Sequence, residues 1–506
     1  MWSPRTRKTA RRLVSLLSVV GVLAAPALAA AADKTLVVGA ATFPDSLSTG
    51  ISSFASLSLS YQTMDPLVLR DDAGNIKPGL ATSWEAIDAT TWRFHLRQGV
   101  KFHDGAPFTA EDVKFTIDRI MDPKTVYGSR SRIGEVAATR VVDAKTIDIS
   151  TKGPFPTLVN GLGDIPIEPK HYFEKVGADG VAKHPLGTGP FQFQRWVPGD
   201  RYELVANRSY WAGAPKVDRV VIRQIPEPTT RVAALLAGEA QIVEEVPIDL
   251  IPRVEQKGSN AKIAAVESTV GLILTMDVRK PPFDNPKVRL AMDYAIDKPL
   301  ILKQMLGGTG SLLQGQLLTS NTFGFNPTVQ ARAYDPAKAK ALLAEAGYPN
   351  GFATSLTTRS GKYLSDVDIC NAVAGMLGQV GVMAQVNVVE GGVFTKMASA
   401  QDMGPVHMVG WYSVGDADFA AVWFTKDSQR SVWVNTEYEK LFLEARTTVD
   451  QAKRLAAYQR MMAILHEENP AVFLFGLPSV YGVSAKLTGF QSPSDKILRL
   501  SQASIP

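Results

Sequence analysis

The stretch FHLRQGVKFHDGAPFTAEDVKF (residues 94–115) decides the reading of this chain, because it holds the end of a strand and the start of a helix. Trp92, Phe94 and Leu96 alternate with Arg93, His95 and Arg97, the period of a strand with one buried face. Thr109 with Asp112 three residues later reads as a capping box, Asp replacing the usual Glu. Val113, Ile117, Ile120 and Met121 then share one helical face.

The same alternation of element types continues outward. Val220-Val221-Ile222 and Ala471-Val472-Phe473-Leu474-Phe475 read as more deeply buried strands. Asp335-Pro336 starts a helix as N-cap and first-turn proline, Leu342 and Leu343 lie inside it, and Gly347 closes it as a left-handed cap. Leu455, Tyr458, Met462 and Leu465 mark another helix. The class is α/β. No internal repeat and no low-complexity linker interrupts the chain, so the expected lobes are in intimate contact and joined by several chain crossings.

The chain has 506 residues, 45% hydrophobic and 20% charged, which is room for two to four units of roughly 100–200 residues each. Its pI of about 9.0 invites a nucleic-acid reading, but the excess charge is local. Of 54 Lys and Arg, five (Arg5, Arg7, Lys8, Arg11, Arg12) lie in residues 1–32, leaving 49 against 49 Asp and Glu. That segment has the layout of a secretory signal: a basic start, an apolar stretch from Leu13, then small residues around Ala27, Ala29 and Ala32. Arg11-Arg12 leaves open a twin-arginine variant, although Val14 and Ser15 follow rather than Phe and Leu. Cys370 is the single cysteine. It permits no internal disulfide and lies far from any lipoprotein cleavage point, and its apolar neighbours suggest a buried thiol. The expectation is an exported, periplasmic protein with a cleaved signal.

Catalytic and metal templates return nothing. There is no G-x-S-x-G elbow and no phosphate loop. His466-Glu467-Glu468-Asn469-Pro470 begins like a zinc-protease helix but carries proline where the second histidine belongs, and the six histidines show no paired spacing. No catalytic residue, metal ligand or cofactor is expected. A binding signal is clearer. His407–Tyr412 is an apolar run ending in glycine, Trp411 and Tyr412, followed by a Gly/Asp loop with Asp416 and Asp418. Aromatics at a strand end supply contact area with a polar tip, a plausible ligand floor.

Residues 94–115 closely resemble the signature of the family 5 extracellular solute-binding proteins, the peptide and nickel receptors of ABC importers. Five further blocks agree and follow the family's order: Leu67–Glu85, Pro185–Trp211, Pro226–Gly238, Asp284–Lys298 and Tyr334–Gly351. The resemblance implies a two-lobed periplasmic binding protein fold (type II, the large three-region variant) that closes on its ligand about a hinge. The first lobe would combine residues 33–58, 187–270 and 478–506 with an inserted region 59–186, and the second lobe would be 271–477. His103-Asp104-Gly105 is expected to be a tight turn and Thr109 a cap, structural rather than ligand-binding.

The resemblance also implies a role: a monomeric receptor delivering a peptide or similar small solute to an inner-membrane ABC permease, with no nucleic-acid partner. Its ligand residues would include Phe43, Arg359, Tyr363, Trp411, Tyr412 and Asp416. Arg359 falls near a family position that holds a ligand carboxylate. One departure concerns specificity. Peptide-binding members carry an aspartate three residues after the tryptophan matched by Trp411, where it pairs with the peptide's amine; here the position is Val414. Either Asp416 substitutes or the ligand has no free amine there. Alternatives are a secreted α/β hydrolase, a receptor of the same family for an opine, glycoside or metal chelate, and an exported peptide-holding chaperone.

Overall fold

Two long strands, Ala261–Met276 and Ala471–Ser484, organise the computed structural model of the chain. They pair antiparallel along nearly their whole length, and each runs through both halves of an 11-stranded sheet. The structure describes residues 33–44, 46–47, 53–71, 75–125, 127–359, 362–413, 415–428 and 431–506. The signal-like segment and Val414 therefore lie outside the described residues.

On one side of this ribbon follow Ile242–Glu244, Thr35–Ala40, Arg219–Gln224, Arg201–Ala206 and Phe191–Val197. On the other side follow Val406–Tyr412, Phe352–Arg359 and Val382–Val389. The first side draws its strands from residues 35–40, 191–224 and 242–244. Its core gathers Leu36, Val38, Phe191, Leu204 and Ile222 together with Leu498 and Leu500 from the far end of the chain. The second side is covered on both faces. One face packs Leu272, Leu274, Met408 and Leu474 under helices such as Asp366–Gly378, and the other packs Ile273, Val409 and Trp411 under Thr436–Arg446 and Gln451–Glu468. Both faces being buried explains why Ala471–Phe475 reads as an unbroken apolar run.

The inserted region forms its own four-stranded antiparallel sheet, ordered Ala81–Ala86, Thr91–Leu96, Thr146–Thr151, Val136–Asp143, with Ala110–Met121 laid on it. The reading of residues 94–115 holds in detail. Phe94 and Leu96 are buried, Gly105 turns at φ +90°, and the Asp112 carboxylate accepts from the Thr109 N–H at 2.9 Å. Asp335 accepts from the Lys338 N–H at 2.9 Å, and Gly347 sits at φ +91°.

The insertion is tied to the lobe through Asp65. This buried carboxylate accepts from the Thr188 hydroxyl at 2.8 Å, the Tyr210 hydroxyl at 2.8 Å and the Trp211 indole N–H at 2.9 Å. The P-x-G-T-G-P block passes so close to the chain at Thr63 and Met64 that a Cβ on Gly187 or Gly189 would lie within 2.5 Å of its backbone. The His103 Nε2–H donates to the Gly189 carbonyl at 3.0 Å. Two of the blocks, residues 94–115 and Pro185–Trp211, thus meet at one junction.

Candidate functional site between the lobes

The sheet is weakest in register where the lobes meet. Pairing between the two crossing strands slips between Glu267 and Gly271 and again between Leu272 and Ile273. At the slip, Ser268 turns its buried hydroxyl to the Leu477 carbonyl at 2.6 Å. The Thr269 N–H leaves the ladder altogether and donates to the Ser494 carbonyl at 3.0 Å. A bulge of this kind bends a ribbon locally, so the hinge and the stretch around residues 492–499 form one floor.

Above that floor the lobes face each other through side chains. From the second lobe comes Tyr412, at the end of Val406–Tyr412, whose hydroxyl donates to the Asp495 carbonyl oxygen at 3.5 Å. From the inserted region comes Arg132, whose guanidinium lies 5.1 Å from the Phe419 ring centre and 5.9 Å from that of Tyr412. Arg132 also pairs with Asp164 at 3.3 Å, and Asp164 pairs with Arg70 as well. Asn160 reaches across to the Asp416 carboxylate at 3.4 Å. Arg499 holds Asp495 at 2.9 Å. Burial, reinforced by the carboxylates of Asp495 and Asp164, pushes the Tyr412 hydroxyl well above its ordinary pKa, so it stays a neutral donor.

A second set of charges lines the seam further along. Glu244 takes the Ala41 N–H at 3.0 Å; burial and the adjacent Glu245 push its carboxyl up to about 7. Lys362, on the opposite lobe, is pulled down by burial and by the neighbouring cations Arg359 and Lys496, with Glu245 opposing. Arg231 grips the carbonyls of Glu244 and Glu245 at 3.0 and 3.1 Å, which holds Glu245 at φ +50°, a conformation that non-glycine residues rarely adopt.

Of the residues singled out in the sequence, two come together. Arg359 donates to the Tyr363 hydroxyl at 3.2 Å, and that hydroxyl accepts from the Gly410 N–H at 2.9 Å, two residues before Tyr412. Gly410 must lack a side chain, since a Cβ there would sit 2.6 Å from the Tyr363 ring. Trp411 points to the other face of the strand and stacks on Trp423, ring centres 4.1 Å apart, with its indole N–H unpartnered. Phe43 packs against the core of the first lobe. Asp416 is a buried counter-ion: both its oxygens lie 3.0 Å from one nitrogen of Arg454, itself 2% exposed. Arg70, Arg132, Asn160, Asp164, Asp495 and Arg499 were not legible in the sequence, because they come from separate segments that only the fold brings together.

Two lobes, two crossing strands that bend where they meet, and facing side chains from both halves define a hinged solute-binding protein. The chain matches the model of the bacterial extracellular solute-binding proteins, family 5, over residues 75–431, and it belongs to that family. It is similar to the glutathione-binding protein GsiB of Pectobacterium atrosepticum, 32% identical over 448 residues, covering 84% of this chain and 85% of that one. Among solved structures it resembles the periplasmic binding protein DppA of Helicobacter pylori in complex with the peptide STSA (26% identity, TM-score 0.78, 93% and 98% of the two chains). It also resembles HbpA2 of Haemophilus parasuis (26% identity, TM-score 0.83, 93% and 100%). The protein is the solute-binding component of an ABC importer. Among the described residues no helix is long and apolar enough to cross a membrane.

Proposed function

We propose that this protein captures a peptide or peptide-like solute in the seam between its lobes and hands it, chemically unchanged, to its permease. The observation that carries this reading is the seam itself: residues from the inserted region and from the second lobe meet over the point where both crossing strands lose register. A solute drives closure only by its extra affinity for the closed form, and contacts from both halves supply that difference. Tyr412, Tyr363 and Arg359 form the second lobe's contact surface, Trp411 backs it from the other face of the strand, Phe43 belongs to the first lobe's side, and Asp416 serves as counter-ion to Arg454 rather than as an amine anchor. The family membership and the GsiB and DppA likenesses support a peptide-sized cargo.

The protein works as a monomer in the periplasm, exported by residues 1–32 and not lipid-anchored, since its single cysteine, Cys370, is fully buried. Two measurements test the reading. A peptide library that includes glutathione is screened by thermal shift, in which binding to the folded state alone raises the melting temperature. Small-angle scattering then has to show contraction with every binder. Binders that leave the scattering curve unchanged, or emerge hydrolysed, count against it.

A further inference from the structure

The charges in the seam do not balance. Around Tyr412, three guanidiniums (Arg70, Arg132, Arg499) meet two carboxylates (Asp164, Asp495). Further along, Arg359, Lys362 and Lys496 face Glu244 and Glu245, and Glu244, pushed up to about 7, is half protonated near neutrality. That second cluster also holds the buried Asp366, which accepts from the Lys362 and Tyr363 N–H groups at 2.8 and 3.0 Å, so the cationic excess lies around Tyr412, where Asp416 is neutralised by Arg454 and Asp418 by Arg446 at 3.0 Å. Two of the three guanidiniums are also incompletely used. Arg70 is only 4% exposed, yet its Nε–H has no partner, and the buried Nε–H of Arg499 has none either. Buried donors are nearly always satisfied in native structures, so such orphans call for an explanation. A guanidinium fork suits a carboxylate above other anions of that size, through two parallel hydrogen bonds.

We infer that the carried solute is an anion, with a carboxylate received by Arg132 and the unpartnered Nε–H groups of Arg70 and Arg499 beside Tyr412. This rests on the clamp reading above and narrows its substrate class to acidic, peptide-sized solutes. Arg132 is the residue that couples charge to closure. It stands on the inserted region and belongs to a carboxylate there (Asp164), while its cationic face already lies on Phe419 and Tyr412 of the other lobe. An arriving carboxylate therefore engages a group that both halves share.

The test is calorimetric titration of the full mature chain with glutathione, its diethyl ester, and a panel of free dipeptides with their C-terminal amides. Free acids are expected to bind at least tenfold more tightly than the matching esters and amides, and their affinity to fall as salt rises from 50 to 500 mM. Arg132→Gln is expected to lower affinity for the acids about tenfold while changing that for the amides less than twofold. Arg132→Lys, which keeps the charge without the fork, is expected to recover part of the loss. Because Arg132 is partly exposed, unliganded melting temperatures check that both variants fold. Amides binding as tightly as acids overturns the anion inference and leaves the receptor reading standing. No binding by either series overturns both.

Discussion

The junction at Asp65 and the seam at Tyr412 are built from the same kinds of residue and answer different demands. At the junction, one carboxylate is surrounded by three neutral donors and two glycines so closely approached that nothing can move. At the seam, the cation–π contacts span 5 to 6 Å, the hydrogen bonds Asn160–Asp416 and Tyr412–Asp495 are 3.4 and 3.5 Å, and donors are left over. The first arrangement is complete without a ligand and the second is not. Close packing and full hydrogen bonding belong where a fold must be rigid; long, incomplete contacts belong where it must open.

The comparison breaks most visibly if the junction is emptied. Asp65→Ala strands three buried donors at once and is expected to cost about 4 kcal/mol, read as a lowered midpoint in urea unfolding. A loss below about 1 kcal/mol would mean the insertion is held by other contacts. Asp416→Ala leaves Arg454 as an uncompensated buried charge, for about 3 kcal/mol. Replacing both (D416L with R454M) is expected to restore most of the stability and to keep binding of free dipeptides. Binding abolished in that stable double variant would return Asp416 to the role of amine anchor.

A smaller effect sharpens the seam. Gly410→Ala pushes the Tyr363 ring off the strand, and is expected to weaken ligand binding about tenfold in calorimetry while costing about 1 kcal/mol of stability. The smallest effect is a pH dependence. The Glu244 carboxyl is raised from the ordinary 4.5 to about 7 in the fold, so between those values the folded state holds a proton that the unfolded chain has released. Stability from this group is therefore present below pH 4.5 and lost as pH rises through 7. Glu244→Gln is expected to be as stable as the parent at pH 5 and more stable by about 1–2 kcal/mol at pH 8. Equal midpoints at both pH values would mean that Glu244 is solvated in the fold.

Most of the architecture was legible because it is written locally. The alternation at Trp92–Leu96, the Thr109–Asp112 box and the Asp335-Pro336 start each depend on neighbours within a turn or two, and each formed as read. The motif blocks were legible as a set, and residues of two of them, His103 with Gly187, Gly189, Tyr210 and Trp211, serve the junction. The seam was not legible. Arg70, Arg132, Asp164 and Arg499 carry no spacing signal, since what unites them is a topology that folds distant segments over one hinge. Trp411 shows the limit of reading a strand end as a floor: alternate residues point to opposite faces, and only Tyr412 takes the side that meets Asp495.

The placement of Leu498 and Leu500 has a consequence for how the molecule is made. They complete the hydrophobic cluster begun by Leu36 and Val38, and Thr488 bridges to Ser504 around them. The cluster begun by Leu36 and Val38 is therefore closed only once residues 498–500 have been made. Until then the early strands have no finished core to settle into. Stopping synthesis just short of Leu498 should leave the first side of the sheet open to protease while the second side, whose cores contain no residue beyond Leu477, stays protected.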